Sequence, residues 1–356
     1  MISHLLVLTA LISSCSKTEI EDELPSTPKA FQELYNQGVD KYLGTIKPIS
    51  STAVGLGVIE HKFRSEDRPV CFTGNQFSMF TRTGKSNNLM IFLQGGGFCS
   101  PQICAAVETG IPLIPFGILN PIDPENPVSN FSLGYVPYCD GSMMSGDKEV
   151  DSDGDGKKDR FFKGLLNLSA SLDVIANSFL APDKIVLAGN SAGGYAVHIA
   201  LPLVRKLYPD VPIYIINDSG IGIANPGGMA SLFEYWNANA FIPDSCKDCI
   251  GADGNLTGLH NYQLIQDENI RLAYISSKQD SVTSLVVGGA SYERQLLEAV
   301  NELTTAHPNR FQGLIDAGNA HTYIIKSYNL EIGGTSVKKW VSQMINESAD
   351  WKTIVE

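Results

Sequence analysis

The sequence has no apolar run of 20 residues, so no segment is long enough to cross a bilayer as a helix. It is short of positive charge: 26 Lys and Arg stand against 38 Asp and Glu, a formal net charge of −12. A nucleic-acid backbone needs a basic surface, and this chain does not offer one. Histidines number only six, and Cys246-Lys247-Asp248-Cys249 has no second CxxC with which to complete a tetrahedral zinc site. No internal repeat is visible. What is present is globular material. Hydrophobic residues make up 43% of 356 positions, too many for a disordered chain and enough for a large core.

The N-terminus reads as an address. Leu5 to Ile12 form a short apolar run that ends at Ser13-Ser14-Cys15. Such a run suits a secretory leader, and small residues before a lone Cys resemble the bacterial lipoprotein signal. That resemblance implies a lipid on Cys15 and a membrane-anchored, exported protein, periplasmic or cell-surface. Met1-Ile2-Ser3-His4 departs from the pattern by lacking Lys and Arg. Residues 1–15 are therefore expected to be a signal peptide, residues 16–40 a flexible tether, and residues 41–356 one catalytic domain. Export permits disulfides. Cys71, Cys99, Cys104, Cys139, Cys246 and Cys249 remain, an even number whose pairing the sequence leaves open.

Buried-strand runs alternate with helical patterns. Asn88–Leu93, Lys184–Ala188, Val211–Ile216, Arg271–Ser276 and Phe311–Ile315 are predicted strands. Apolar spacing predicts helices over residues 164–180 and from Ala192 to about Leu207. Residues 111–138, rich in Pro, read as a long ordered loop. Strands separated by helices imply an α/β fold: a three-layer α/β/α sandwich, α/β-hydrolase-like, with a mostly parallel central sheet.

Gly189-Asn190-Ser191-Ala192-Gly193 fits G-x-S-x-G between a buried strand and an amphipathic helix. That tight turn would expose the Ser191 hydroxyl at the C-terminal end of the sheet. Serine is a weak nucleophile at neutral pH and needs a base, which in turn needs an orienting acid. His321, in a small loop after the last predicted strand, is the expected base. His61 precedes the elbow, His198 lies on the same helix as Ser191, and His260 and His307 sit in polar stretches. Asp280, after the strand ending at Ser276, is the expected acid, and Asp218 is the alternative. Asp316 and Asp267 are weaker candidates. Gly95-Gly96-Gly97-Phe98 follows a buried strand and matches an oxyanion loop, with the N–H groups of Gly97, Phe98 and Ala192 as donors.

These pieces resemble the pectin acetylesterase family, which includes plant cell-wall acetylesterases and animal Notum carboxylesterases. The resemblance rests on Gln94-Gly95-Gly96-Gly97-Phe98-Cys99, Gly117-Ile118-Leu119, Tyr138-Cys139-Asp140-Gly141 with Gly146-Asp147, Gly189–Gly194 and Asp218-Ser219-Gly220. It implies a Ser191–Asp280–His321 triad acting on carboxylic esters, with O-acetyl groups on a polysaccharide as the expected substrate. Phe98 stands where the family usually has Trp, and Asn190 where it usually has Cys. Two other readings stay open. One is a long-chain acyl esterase or lipid deacylase, with Ile111-Pro112-Leu113-Ile114-Pro115-Phe116 lining an acyl pocket. The other is a non-catalytic glycan-binding lipoprotein.

No cofactor is expected for catalysis. A structural calcium is expected in Asp151-Ser152-Asp153-Gly154-Asp155-Gly156-Lys157-Lys158-Asp159, held by Asp151, Asp153, Asp155, the Lys157 carbonyl and Asp159. Phe162 replaces the closing glutamate of such loops.

Overall fold

The computed structural model describes residues 30–287 and 289–356. The expected leader, Cys15 and the polar stretch up to residue 29 lie outside the described residues. In chain order, α1 (Gln32–Asn36) precedes β1 (Ser50–Gly55), β2 (Val58–Lys62), β3 (Ser78–Arg82), β4 (Leu89–Leu93) and β5 (Ser132–Val136). A hairpin of β6 (Lys148–Val150) and β7 (Arg160–Phe162) leads into α2 (Gly164–Ser178). Next come β8 (Ile185–Asn190), α3 (Ala192–Leu207), β9 (Ile213–Asp218), α4 (Gly228–Trp236) and α5 (Thr257–Gln266). They are followed by β10 (Ile270–Ser277), α6 (Thr283–Val287), α7 (Gly289–Ala306) and β11 (Phe311–Asp316). A short hairpin, β12 (Glu331–Ile332) and β13 (Thr335–Ser336), then α8 (Val337–Ile345) and β14 (Ile354–Val355) complete the chain.

Ten strands form one sheet in the order β1-β2-β3-β5-β4-β8-β9-β10-β11-β14. From β5 to β14 every pairing is parallel, and β1, β2 and β3 add an antiparallel edge. The mostly parallel sheet between helical layers is as the sequence implies. Period-2 alternation divides each central strand between two cores. Leu89, Ile91 and Leu93 of β4, with Ile185 and Leu187 of β8, face the core under α2, α3, α5 and α7. Met90, Phe92, Val186 and Ala188 face the opposite core, which α8 closes through Trp340, Val341 and Met344. Both faces are covered, so these strands read as unbroken apolar runs.

Two expectations need correction. The tether does not extend to residue 40. Phe31, Leu34, Tyr35 and Val39 are buried in the α3-side core, and the Tyr35 hydroxyl donates to the Pro202 carbonyl at 2.8 Å. Apolar residues at this helical spacing form a buried face, which a solvated linker lacks. The long loop over residues 111–138 contains β5, which lies between β3 and β4. Gly134 at its centre weakens the strand signal. It is there because α2 packs close: a Cβ at Gly134 would meet Ile175 Cδ1 at 2.3 Å.

Pro202 inside α3 lacks the N–H that would bond the His198 carbonyl one turn back. That carbonyl instead accepts from Gln263 Nε2 of α5, at 2.9 Å. The helix carrying the elbow is thereby stitched to its neighbour. All six cysteines among the described residues are paired, as Cys71–Cys139, Cys99–Cys104 and Cys246–Cys249.

Candidate active site

The strand-to-helix turn between β8 and α3 puts Ser191 at φ 54°, ψ −123°, outside the regions an L-residue ordinarily adopts. Its N–H donates to the Asp218 carbonyl at 2.7 Å, which holds the turn to the end of β9. The parallel strands β8, β9, β10 and β11 all end at this rim. From it, residues distant in the chain converge. His321 Nε2 lies 2.9 Å from Ser191 Oγ. His321 Nδ1 lies 2.9 and 2.8 Å from the two Asp280 carboxylate oxygens.

These contacts settle the tautomer. An ionised carboxylate only accepts, so Nδ1 carries the proton and the Nε2 lone pair faces the serine hydroxyl. Asp280 is fully buried. Its Oδ1 also accepts the N–H groups of Val282 and Thr283, both at 2.9 Å. These bonds fix the carboxylate plane.

The glycine loop after β4 sits against the elbow. Gly95 N–H donates to Asn190 Oδ1 at 3.3 Å. A Cβ on Gly95 would come within 2.2 Å of the Asn190 carbonyl and 2.9 Å of Ser191 Cβ, so only glycine permits this approach. Gly97 adopts φ +81°. Among the described residues, the N–H groups of Gly97 and Phe98 donate to no protein acceptor. Ala192 opens α3, where a first-turn N–H has no intrahelical partner. Three unspent donors thus belong to the elbow and the glycine loop packed against it. The Cys99–Cys104 disulfide pins the far side of the loop. Phe98 meets Trp236 edge-on, ring centroids 6.5 Å apart, while Trp236 Nε1 donates to the Cys99 carbonyl at 2.7 Å.

Asp218, the alternative acid, forms no hydrogen bond with the imidazole among the described residues. Its buried carboxylate accepts the N–H groups of Tyr323 and Ile324. Asp316 accepts the Tyr323 hydroxyl at 2.8 Å, and Asp267 pairs with buried Arg205 at 2.6 Å. His61 is buried between Ser51 and Thr81. His307 bonds Asn261 Oδ1 at 2.7 Å. His198 and His260 are buried and stacked 3.5 Å apart. His198 bonds Gln263 and Asn217, and His260 bonds Tyr274. Burial holds His198 down at about 4 and His260 further below its ordinary range, so both stay neutral. Although it sits in a polar stretch, His260 lies on the buried side of α5, because Leu256, Leu259 and Leu264 around it face the core.

Sequence reasoning missed Asn190 and Trp236. Asn190 links the elbow to the glycine loop, and Trp236 braces Phe98. Neither belongs to a local motif with that meaning; the contacts exist only across the fold.

The acidic loop between β6 and β7 brings one carboxylate oxygen each from Asp151, Asp153 and Asp155 within 4.8 Å of one another. Asp159 lies outside that group: its carboxylate accepts the Ser152 N–H and hydroxyl at 2.8 and 2.6 Å. Ile111, Ile114 and Phe116 are exposed and stand outside the core.

Residues 113–230 match the family model for pectinacetylesterase. The chain is similar to a carboxypeptidase Y homolog of Arthroderma benhamiae, at 32% identity over 205 residues, 54% of this chain and 40% of that protein. It is also similar to the palmitoleoyl-protein carboxylesterases notum2 and notum1 of Xenopus laevis. The notum2 match is 28% identical over 38% of this chain and 30% of the relative. The notum1 match is 25% identical over 50% of this chain and 42% of the relative. The chain thus spans less than half the length of the curated relatives it matches. The pectinacetylesterase match across the elbow and the two Notum relatives support a likeness to the pectin acetylesterase and Notum carboxylesterase family.

Proposed function

We propose that this protein is a serine esterase that hydrolyses carboxylic esters through an acyl-enzyme. The observation that carries the reading is the contact chain Ser191 Oγ–His321 Nε2 at 2.9 Å and His321 Nδ1–Asp280 at 2.8 Å, set beside the unspent N–H groups of the glycine loop. Ser191 attacks the ester carbonyl while His321 takes its proton. Asp280 keeps Nε2 as the acceptor and stabilises the imidazolium. The N–H groups of Gly97, Phe98 and Ala192 receive the developing oxyanion; losing one such donor typically costs a factor of about 10² to 10³. His321 then protonates the departing alkoxide, and water, activated by the same imidazole, releases the acid.

The substrate we assign is an O-acetylated polysaccharide, in keeping with the pectinacetylesterase match. Three disulfides suit an oxidising compartment, which supports export. A lipid on Cys15 would hold the enzyme at a membrane surface near such polymers. A calcium ion in the Asp151–Asp155 loop would brace the β6–β7 hairpin without entering the chemistry.

A second reading has its own observation. Ile111, Ile114 and Phe116 lie exposed just before Gly117. Gly117 abuts the Ile324 and Ile325 carbonyls, in the segment that follows His321. An apolar rim there would favour longer acyl chains, as the names of the Notum relatives suggest. A p-nitrophenyl ester series decides between them. Highest kcat/KM on acetate supports the acetylesterase, and a maximum at octanoate or longer rejects it. Failure of a fluorophosphonate probe to label Ser191 would reject both and revive the glycan-binding alternative.

A further inference from the structure

Asp218 looks like a spare carboxylate beside the triad, yet it touches both Ser191 and the segment that follows His321. Its main-chain carbonyl accepts the Ser191 N–H at 2.7 Å. Its side chain accepts the Tyr323 N–H, at 3.0 Å to Oδ1 and 2.8 Å to Oδ2, and the Ile324 N–H at 2.9 Å to Oδ2. The neighbouring Ser219 hydroxyl accepts the Thr322 N–H at 3.0 Å and donates to Asp218 Oδ1 at 3.2 Å. Three consecutive backbone N–H groups immediately after His321 are therefore gathered onto two side chains at the end of β9. Ser219 and Thr322, which face each other across this clamp, both take positive φ, 60° and 72°. Neither is glycine, so the clamp must hold them there against their own preference. Asp218 is fully buried.

We propose that Asp218 is a positioning residue: it fixes the Ser191 backbone with its carbonyl and the His321 loop with its carboxylate, and so sets the distance between nucleophile and base. The proposal rests on the esterase reading for its kinetics but not for its geometry. A loop of small residues, Ala317-Gly318-Asn319-Ala320, precedes His321 and would otherwise let the imidazole wander. Asp280 orients the ring; Asp218 holds the backbone from which the ring projects. A misplacement on the ångström scale is enough to matter.

Burial pushes the Asp218 carboxyl up to about 6, while its bonds from Ile324 and Tyr323 and the nearby imidazole pull the other way.

The test is Asp218→Asn, which keeps one acceptor oxygen but turns an amide donor toward the clamped N–H groups. Three readouts are needed: kcat and KM on p-nitrophenyl acetate, melting temperature, and the proton NMR signal of the His321 Nδ1–H. The expected result is a fall in kcat of about 10- to 100-fold with KM nearly unchanged. The His321 Nδ1–H signal should shift or broaden, because the ring no longer holds its place against Asp280. Unchanged kcat overturns the proposal, as does a fall in kcat with that signal unmoved, since simple loss of packing elsewhere would do that. Should Asp218→Asn not fold, Ser219→Ala removes only the hydroxyl. A several-fold fall in kcat at unchanged melting supports the clamp, and no fall overturns it. If the wild-type protein cleaves no ester and Ser191 takes no fluorophosphonate, the esterase reading fails. The NMR signal still decides the role of Asp218.

Discussion

Two places in this molecule gather aspartates, and they behave as opposites. At the rim of the sheet, Asp218 and Asp280 are fully buried. Each is surrounded by donors that leave it one orientation: Val282, Thr283 and His321 for Asp280, Tyr323, Ile324 and Ser219 for Asp218. On the β6–β7 hairpin, Asp153 and Asp155 are exposed and Asp151 half-buried, and all three lie within 4.8 Å of one another. Their partners are mostly backbone N–H groups of their own turn, Gly154, Gly156, Asp155 and Lys157. Water screens these charges, so their local effect is small. At the rim both carboxylates are cut off from solvent, and a buried carboxylate must either find its donors or give up its charge. The number of acids does not mark a reactive site. What marks it is burial with a single geometric partner.

The contrast can be broken most sharply at the nucleophile. Ser191→Ala should lower ester turnover by roughly 10⁴-fold or more while melting stays within a degree or two of wild type. A large loss of melting temperature instead would make Ser191 structural. Next is a paired exchange of equal chemistry in the two regions. Asp280→Asn should cost a factor of about 10³ to 10⁴ in kcat, because the amide no longer holds the right imidazole tautomer. Asp153→Asn on the hairpin should leave kcat within about twofold. Equal losses in the two variants would erase the distinction drawn above.

Burial acts on bases in the opposite sense, and the His198–His260 pair tests that. His198 is depressed to about 4 in the folded protein. A depressed base stabilises the fold above its unfolded pKa of about 6.5, and that stability drains away as pH falls from about 6.5 toward 4. Asp140 and Asp173, which burial raises to about 6, work the other way over part of the same window. Melting of wild type and His198→Gln should therefore be compared between pH 7 and 4.5. The variant should lose several degrees less than wild type on acidification, and an equal loss would remove His198 from the account. The smallest effect belongs to the hairpin. EDTA should lower melting by about 2 °C through release of calcium, and Asp151→Asn should abolish that shift. No shift in wild type would count against the ion.

Much of this architecture was legible before any coordinates. The five runs Asn88–Leu93, Lys184–Ala188, Val211–Ile216, Arg271–Ser276 and Phe311–Ile315 coincide with β4, β8, β9, β10 and β11 to within two or three residues. They were readable because strands covered on both faces are apolar throughout. The failures have equally local causes. β5 carries Gly134 at its centre, and the packing of Ile175 that requires this glycine is invisible in one dimension. Phe31, Leu34 and Val39 follow a polar stretch without a break in the chain, so the sequence alone puts the domain boundary too late.

What the sequence determined unaided were features written within a few residues: the strand–turn–helix around Ser191, the glycine loop and the even set of cysteines. Each depends on backbone freedom or periodicity, which neighbouring residues dictate. The tertiary structure alone decided which aspartate meets the imidazole, which cysteines pair and what supports the loops. Ser191 and His321 are 130 residues apart, and Asp280 and His321 are 41 apart. Over such separations the chain imposes no distance of its own. The order of the strands in the sheet does, by bringing the ends of β8, β9, β10 and β11 to one edge.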